Sequence, residues 1–213
     1  MAAKRSNKGK KSIDCIISDC LYLGDAKMSK DLNLLKSVGI THIICLAGKS
    51  MFDNEFVYHM AHFKDKQDSN ILQFLPSIFG FIDNVISEQD NSKIFIHCMA
   101  GMSRSPSIIM AYLMYKFKLT LKQSYIYVIG KRSCIRPNYV FLQQLWKYEN
   151  VLFGDEFENS INSKELRNIS GLYKKKWLKQ LKQNPINFDN IKRETILEMN
   201  DKDNNVQQDE TKK

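Results

Sequence analysis

The sequence predicts a layered α/β fold in one domain. Two observations carry that prediction. Up to about Phe153, short apolar runs of strand length alternate with longer segments of helical period. The chain of 213 residues is 43 % hydrophobic and 26 % charged, ordinary for a soluble globular protein and enough for a real core. A third observation sets the limit: apolar density falls after Phe153, which predicts a polar extension over residues 154–213.

Ile13–Ile17 and Leu21–Leu23 read as short strands, the second closed by Gly24. Met28–Val38 has a helical period through Leu32, Leu34, Leu35 and Val38, with Gly39 as its stop. His42–Leu46 is an apolar run of strand length, and Val57–Phe63 alternates like another strand. Ile71–Ile86 places Leu72, Leu75, Phe79, Ile82 and Ile86 at helical spacing; Pro76 predicts a start or a kink there. Lys93–His97 is a strand. Ser105–Phe117, Leu121–Lys131 and Asn138–Leu152 are three helices. Lys164–Leu181 reads as a basic helix weakened by Gly171, and Asn200–Lys213, with Val206 as its one strong hydrophobe, is expected to be disordered.

Charge and targeting signals narrow the class. The net charge is +9, and five of those charges lie in a basic arm, Met1–Lys11. A second cluster, Lys164–Lys182, holds seven bases against Glu165. Such ends suit an anionic partner (RNA, an acidic protein or anionic lipid), and equally suit solvated ends that keep a chain soluble. No run of 18 apolar residues occurs, so no transmembrane segment is expected. Met1–Lys11 has no apolar stretch behind it, Ala2 is not the glycine of a myristoylation site, and Thr211-Lys212-Lys213 is not a prenylation box. A cytoplasmic or nuclear protein is expected. The five cysteines, Cys15, Cys20, Cys45, Cys98 and Cys134, are odd in number and form no Cys-x-x-Cys, a poor fit to a disulfide framework or a zinc site. Cys15, Cys45 and Cys134 sit among apolar neighbours and read as small buried hydrophobes.

Cys98 is different. A buried strand, Ile94-Phe95-Ile96-His97, runs into it, and Pro106 opens a helix eight residues later. Met99, Ala100, Gly101, Met102, Ser103 and Arg104 must turn tightly at a helix N-terminus. There their backbone N–H groups can form a nest for a tetrahedral oxyanion. Gly101 permits a conformation that a Cβ would resist, and Arg104 can grip two phosphate oxygens. The same field favours a thiolate at Cys98. Ser105 is placed to donate to that sulfur, while His97 orders the loop by hydrogen bonding.

His97-Cys98-x5-Arg104-Ser105 resembles the signature of the cysteine-dependent protein tyrosine phosphatases, and His-Cys-x-x-Gly-x-Ser-Arg-Ser is similar to that of their dual-specificity branch. Ala111-Tyr112-Leu113-Met114, the run from Arg136-Pro137-Asn138 to Leu145, and Leu21-Tyr22-Leu23-Gly24 resemble further segments of that family. The resemblance covers about Ser12–Asn150. It implies a protein tyrosine phosphatase-like fold, a central mixed sheet flanked by helices, with a catalytic domain over residues 12–153. It implies a phosphocysteine intermediate, phosphoprotein substrates carrying phosphotyrosine or phosphoserine/threonine, Asn138 in a supporting role, and neither metal nor cofactor.

The family also uses an aspartate some thirty residues before the cysteine as general acid. Asp65 and Asp68 stand 33 and 30 positions before Cys98. Aligning Leu75-Pro76 and Phe81-Ile82-Asp83 with the family's helix puts Asp65 at the acid position, with Asp68 as the alternative. Cys45 stands where many relatives have asparagine, which removes a polar support. Met99, Ala100 and Met102 are uncharged, which favours phosphoprotein over multiply phosphorylated substrates. Two other readings stay open: a phosphate-binding module without turnover, and a phosphatase of RNA 5′-phosphates or phosphoinositides.

Overall fold

The computed structural model describes residues 13–88, 91–154, 158–169 and 188–210, together with Lys175, Trp177 and Lys179. The basic arm Met1–Lys11 and part of the Lys164–Lys182 cluster (Lys174, Lys176 and Lys182) lie outside the described residues.

Five strands form one mixed sheet: β1 (Asp14–Ile17), β2 (Leu21–Asp25), β3 (His42–Cys45), β4 (Val57–Met60) and β5 (Ile94–Cys98). Their order is β1-β2-β5-β3-β4, antiparallel between β1 and β2 and parallel elsewhere. The two-residue period divides the sheet's faces. Tyr22, Phe95 and Ile43 lie side by side in register and bury against Met28 and Leu35 on one face. Leu21, Leu23, Ile44, Ile94 and Ile96 point the other way into the larger core.

Helix α1 (Leu32–Val38) covers the first face. It is shorter than its apolar period predicts, because Asp31 caps it by accepting from the Leu34 N–H and leaves Met28–Lys30 as a separate 3₁₀ turn. Gly39 ends it in the left-handed region, as the sequence predicts. Helices α2 (Leu75–Glu88), α3 (Arg104–Phe117), α4 (Leu121–Lys131) and α5 (Tyr139–Phe153) pack on the other face. Pro76 falls in the first turn of α2, where its missing N–H costs nothing, so it starts the helix and does not kink it.

Beyond Gly154 the described residues include two further helices. Helix α6 (Ser163–Arg167) is followed by α7 (Arg193–Glu210), which covers much of the stretch expected to be disordered. Ile161, Leu166, Ile169, Trp177, Ile191 and Ile196 join the main core. Trp177 packs edge-on against Tyr125 at 6.0 Å, so this tryptophan faces the domain. Polar anchors add to the apolar ones: Arg193 donates to Ser92 O and Ile86 O, and Asn200 donates to Ser87 Oγ and accepts from Lys116. Composition hides this arrangement, because a few large side chains spaced through polar sequence do the anchoring. Among the described residues no helix is long and apolar enough to cross a membrane.

Candidate active site

The parallel strands bring their C-terminal ends together, where open α/β sheets form binding crevices. Strand β5 ends there in Cys98, 2 % exposed, and the chain turns straight into α3. That helix begins at Arg104, two residues before the proline that the sequence marks as its start. Pro106 still lies in the first turn, where N–H groups have no helical partner. Arg104 and Ser105 are therefore helical, and Ser103 is the N-cap residue. Ser103 makes no side-chain cap. Its hydroxyl instead accepts from the Asn138 N–H at 2.9 Å and donates to Asp65 Oδ1 at 3.0 Å.

Burial pushes the Cys98 thiol up. Against it work the Ser105 hydroxyl, 3.3 Å from Sγ, the backbone N–H groups of Ser105 and Gly101, and the Arg104 guanidinium; together they hold the thiol below its ordinary value. Arg104 Nη1 donates to Leu46 O and Phe63 O, which fixes the guanidinium. Its Nε is buried, lies 3.9 Å from Asp65 Oδ2, and has no hydrogen-bond partner among the described residues. A donor left open in this way suits an incoming oxyanion. His97 Nδ1 lies 3.3 Å from Cys98 O, and its ring stacks on Phe95. Burial lowers its pKa to about 4, so it is a neutral, orienting side chain at physiological pH.

Asp65 reaches the site from the segment after β4. Its Oδ1 also accepts from Asn138 Nδ2 at 3.2 Å, and Asn138 in turn caps α5 through the Val140 N–H. Asp68 is exposed and makes no hydrogen bond or ion pair among the described residues. The structure thus gathers Cys98, Arg104, Ser105, Ser103, Asn138 and Asp65 in one place.

A sequence profile of the "Dual specificity phosphatase, catalytic domain" family matches residues 21–151. The chain belongs to the dual specificity phosphatase family. It is 33 % identical over 149 residues to Dual specificity protein phosphatase 1 of Arabidopsis thaliana, covering 68 % of this chain and 74 % of that relative. It is 38 % identical over 136 residues to human Dual specificity protein phosphatase 6, covering 62 % of this chain but only 35 % of the relative. Among solved structures, the human tyrosine phosphatase-like serine/threonine/tyrosine-interacting protein superposes with a TM-score of 0.63 at 31 % identity, covering 68 % of this chain and all of that one.

Two residues that support this site stand outside the site residues expected from the sequence. Arg132 Nε donates to Gly101 O at 2.9 Å, while its Nη1 pairs with Asp14 at 2.6 Å, tying the loop to β1. Gln144 accepts from the Ile71 N–H and donates to Ser69 O, closing the end of the segment that carries Asp65. Gln144 lies within the Pro137–Leu145 resemblance, so a signal for it existed; nothing local marks Arg132. Cys45 is buried and its thiol donates to Ala47 O, so the position keeps one local hydrogen bond without a polar amide. Cys134, expected among the buried cysteines, is exposed, because it lies in the loop between α4 and α5.

Proposed function

We propose that the chain hydrolyses phosphotyrosine and phosphoserine/threonine in proteins through a phosphocysteine intermediate. The observation that carries this reading is the convergence on Cys98 Sγ of the Ser105 hydroxyl, two backbone N–H groups and a guanidinium, enough to overcome the cost of burying a thiolate. In the first step the thiolate attacks phosphorus in line. The S–P bond forms, the P–O bond to the substrate breaks, and protonated Asp65 gives its proton to the leaving oxygen. Arg104 and the amides of residues 99–104 hold the three equatorial oxygens as charge redistributes. In the second step Asp65 takes a proton from water, which attacks phosphorus. The S–P bond breaks, inorganic phosphate leaves, and the Ser105 hydroxyl bonds to the departing sulfur.

Asp65 is preferred to Asp68 because its carboxylate is 3.9 Å from Arg104 and is held by Ser103 and Asn138. Proton transfer needs that placement first. The uncharged loop side chains Met99, Ala100 and Met102 fit a single phosphoryl group on a protein. All five cysteines are unpaired, which supports a reducing, cytoplasmic or nuclear setting. The basic ends are the part of the chain suited to an anionic partner.

The test is hydrolysis of para-nitrophenyl phosphate, phosphotyrosyl peptide and phosphothreonyl peptide by the wild type and Cys98→Ser. The reading requires wild-type turnover of all three and a fall to the buffer rate in the variant. Phosphate binding without product release by the wild type would make the chain a phosphate-binding module instead.

A further inference from the structure

Beside the Cys98 loop lies a cleft of about 410 Å³. Asp65 and Ser103, hydrogen-bonded to each other, form part of its lining. Another part comes from beyond the family match, which stops at residue 151: Leu166, Arg167 and Ile169. Leu166 and Ile169 are 3 % and 2 % exposed and belong to the main core, so the backbone carrying Arg167 is anchored on both sides. At the start of α6, Asn162 caps the Lys164 and Glu165 N–H groups, and the Glu165 carboxylate folds back onto the Asn162 N–H. The Glu165 carboxylate is thereby engaged by the N-cap residue Asn162.

Arg136 lines the same cleft. Its backbone N–H donates to Met102 O at 2.7 Å, which ties its position to the phosphate loop. Both arginines are exposed, and neither guanidinium has a hydrogen bond or ion pair among the described residues. Two cations on anchored backbone, beside a cleft of mixed polar and apolar lining that Asp65 and Ser103 share, are complementary to an anionic group on the substrate itself. The Asp65 carboxylate does not cancel them, since it already faces Arg104, Ser103 and Asn138.

We infer that this cleft selects protein substrates in which acidic side chains flank the phosphorylated residue, and that Arg167 and Arg136 hold the flanking carboxylate. The selectivity then resides partly in the segment after the family domain. This inference rests on the phosphatase reading for its substrate, but the cleft can be tested without turnover.

Two phosphotyrosyl peptides, one flanked by Glu and its match flanked by Gln, are measured against the full chain. Binding is measured in the Cys98→Ser background, and kcat/KM is measured in the wild type, with para-nitrophenyl phosphate as the small control. The Glu peptide is expected to bind about fivefold more tightly than the Gln peptide, a difference typical of an exposed ion pair. Arg167→Ala should erase most of that preference through KM, Arg167→Glu should reverse it, and hydrolysis of para-nitrophenyl phosphate should stay unchanged in both. The preference should also shrink as salt rises. Equal binding of the two peptides by the wild-type cleft, or a preference that survives Arg167→Glu, overturns the inference. An equal loss on peptide and small control also overturns it, by showing a structural role. A retained binding preference without any turnover keeps the cleft and removes the phosphatase reading.

Discussion

The proposed nucleophile and the proposed acid are held in opposite ways. Cys98 is the last residue of a fully buried strand, and the loop after it is fixed from inside the fold by Arg132, Gly24 and the start of α3. Asp65 sits in an exposed segment, held by side-chain hydrogen bonds to Ser103 and Asn138 and by Gln144 a few residues on. Backbone geometry thus builds the surroundings of Cys98, whereas surface hydrogen bonds place the proposed proton donor. Damage to the first should cost folding and chemistry together; damage to the second should cost chemistry alone.

The hardest test of that contrast is Gly101→Ala. Gly101 has φ +63°, and a Cβ there would lie 2.3 Å from Gly24 O, a backbone atom that cannot step aside. A methyl group also meets strain in that conformation. The variant is expected to lose activity entirely and to unfold at lower temperature, measured by calorimetry beside an assay. Full activity would show that the loop is more compliant than its contacts.

Asp65→Asn should separate the two regions most cleanly. Loss of a positioned acid lowers kcat by about 10²–10⁴ for poor leaving groups. The fall should shrink for aryl phosphates whose leaving group needs no proton, and the melting temperature should barely move. A stability loss matching that of Gly101→Ala would erase the distinction. Asp68→Asn should leave the rate unchanged, and an equal loss there would shift the acid.

A smaller effect is expected at Ser105. The folded thiol of Cys98 titrates below its ordinary value partly through the Ser105 hydroxyl, so Ser105→Ala should move it upward. Alkylation by iodoacetamide across pH reads this directly: the wild-type midpoint lies below 9.0, and the variant's lies closer to 9.0. An unmoved midpoint would leave the amides and Arg104 as the whole cause.

The smallest effect concerns stability against pH. His97 is neutral in the folded protein down to about pH 4, whereas in the unfolded chain it titrates at its ordinary 6.5. Below pH 6.5 the unfolded state therefore binds the extra proton, and stability falls with pH until the folded group protonates near 4. Denaturant melts of wild type and His97→Gln should converge as pH falls through that window. A constant difference would mean that His97 contributes nothing to acid sensitivity.

Much of this molecule was legible in the chain because its strongest signals are local. The run from His97 to Ser105 fixes a strand, a turn and a helix start by residue type, and Gly39 marks a helix end by its own conformation. Where residues act across long separations, legibility fails. Arg132 meets Asp14 across 118 positions, and Asn200 meets Asp83 across 117. No periodicity or spacing marks such pairs. The polar composition of residues 154–213 gives no sign of their anchors for the same reason: burial among the described residues there comes from scattered Ile, Leu and Trp side chains whose partners lie far back in the chain.

Near the end of β2, Gly24 lies against the side chains of Phe95 and Met28, and its carbonyl oxygen occupies the place a side chain on Gly101 would need. The sequence marks Gly24 as a stop, yet the strand runs on to Asp25 in register with Cys98. Evolution of the cradle is therefore coupled to a residue that never touches phosphate. Any lineage that gave position 24 a side chain would have to displace the ring of Phe95 and the thioether of Met28, and a designer widening this crevice should begin at the contact between Gly24 and Gly101 before altering the residues around the sulfur.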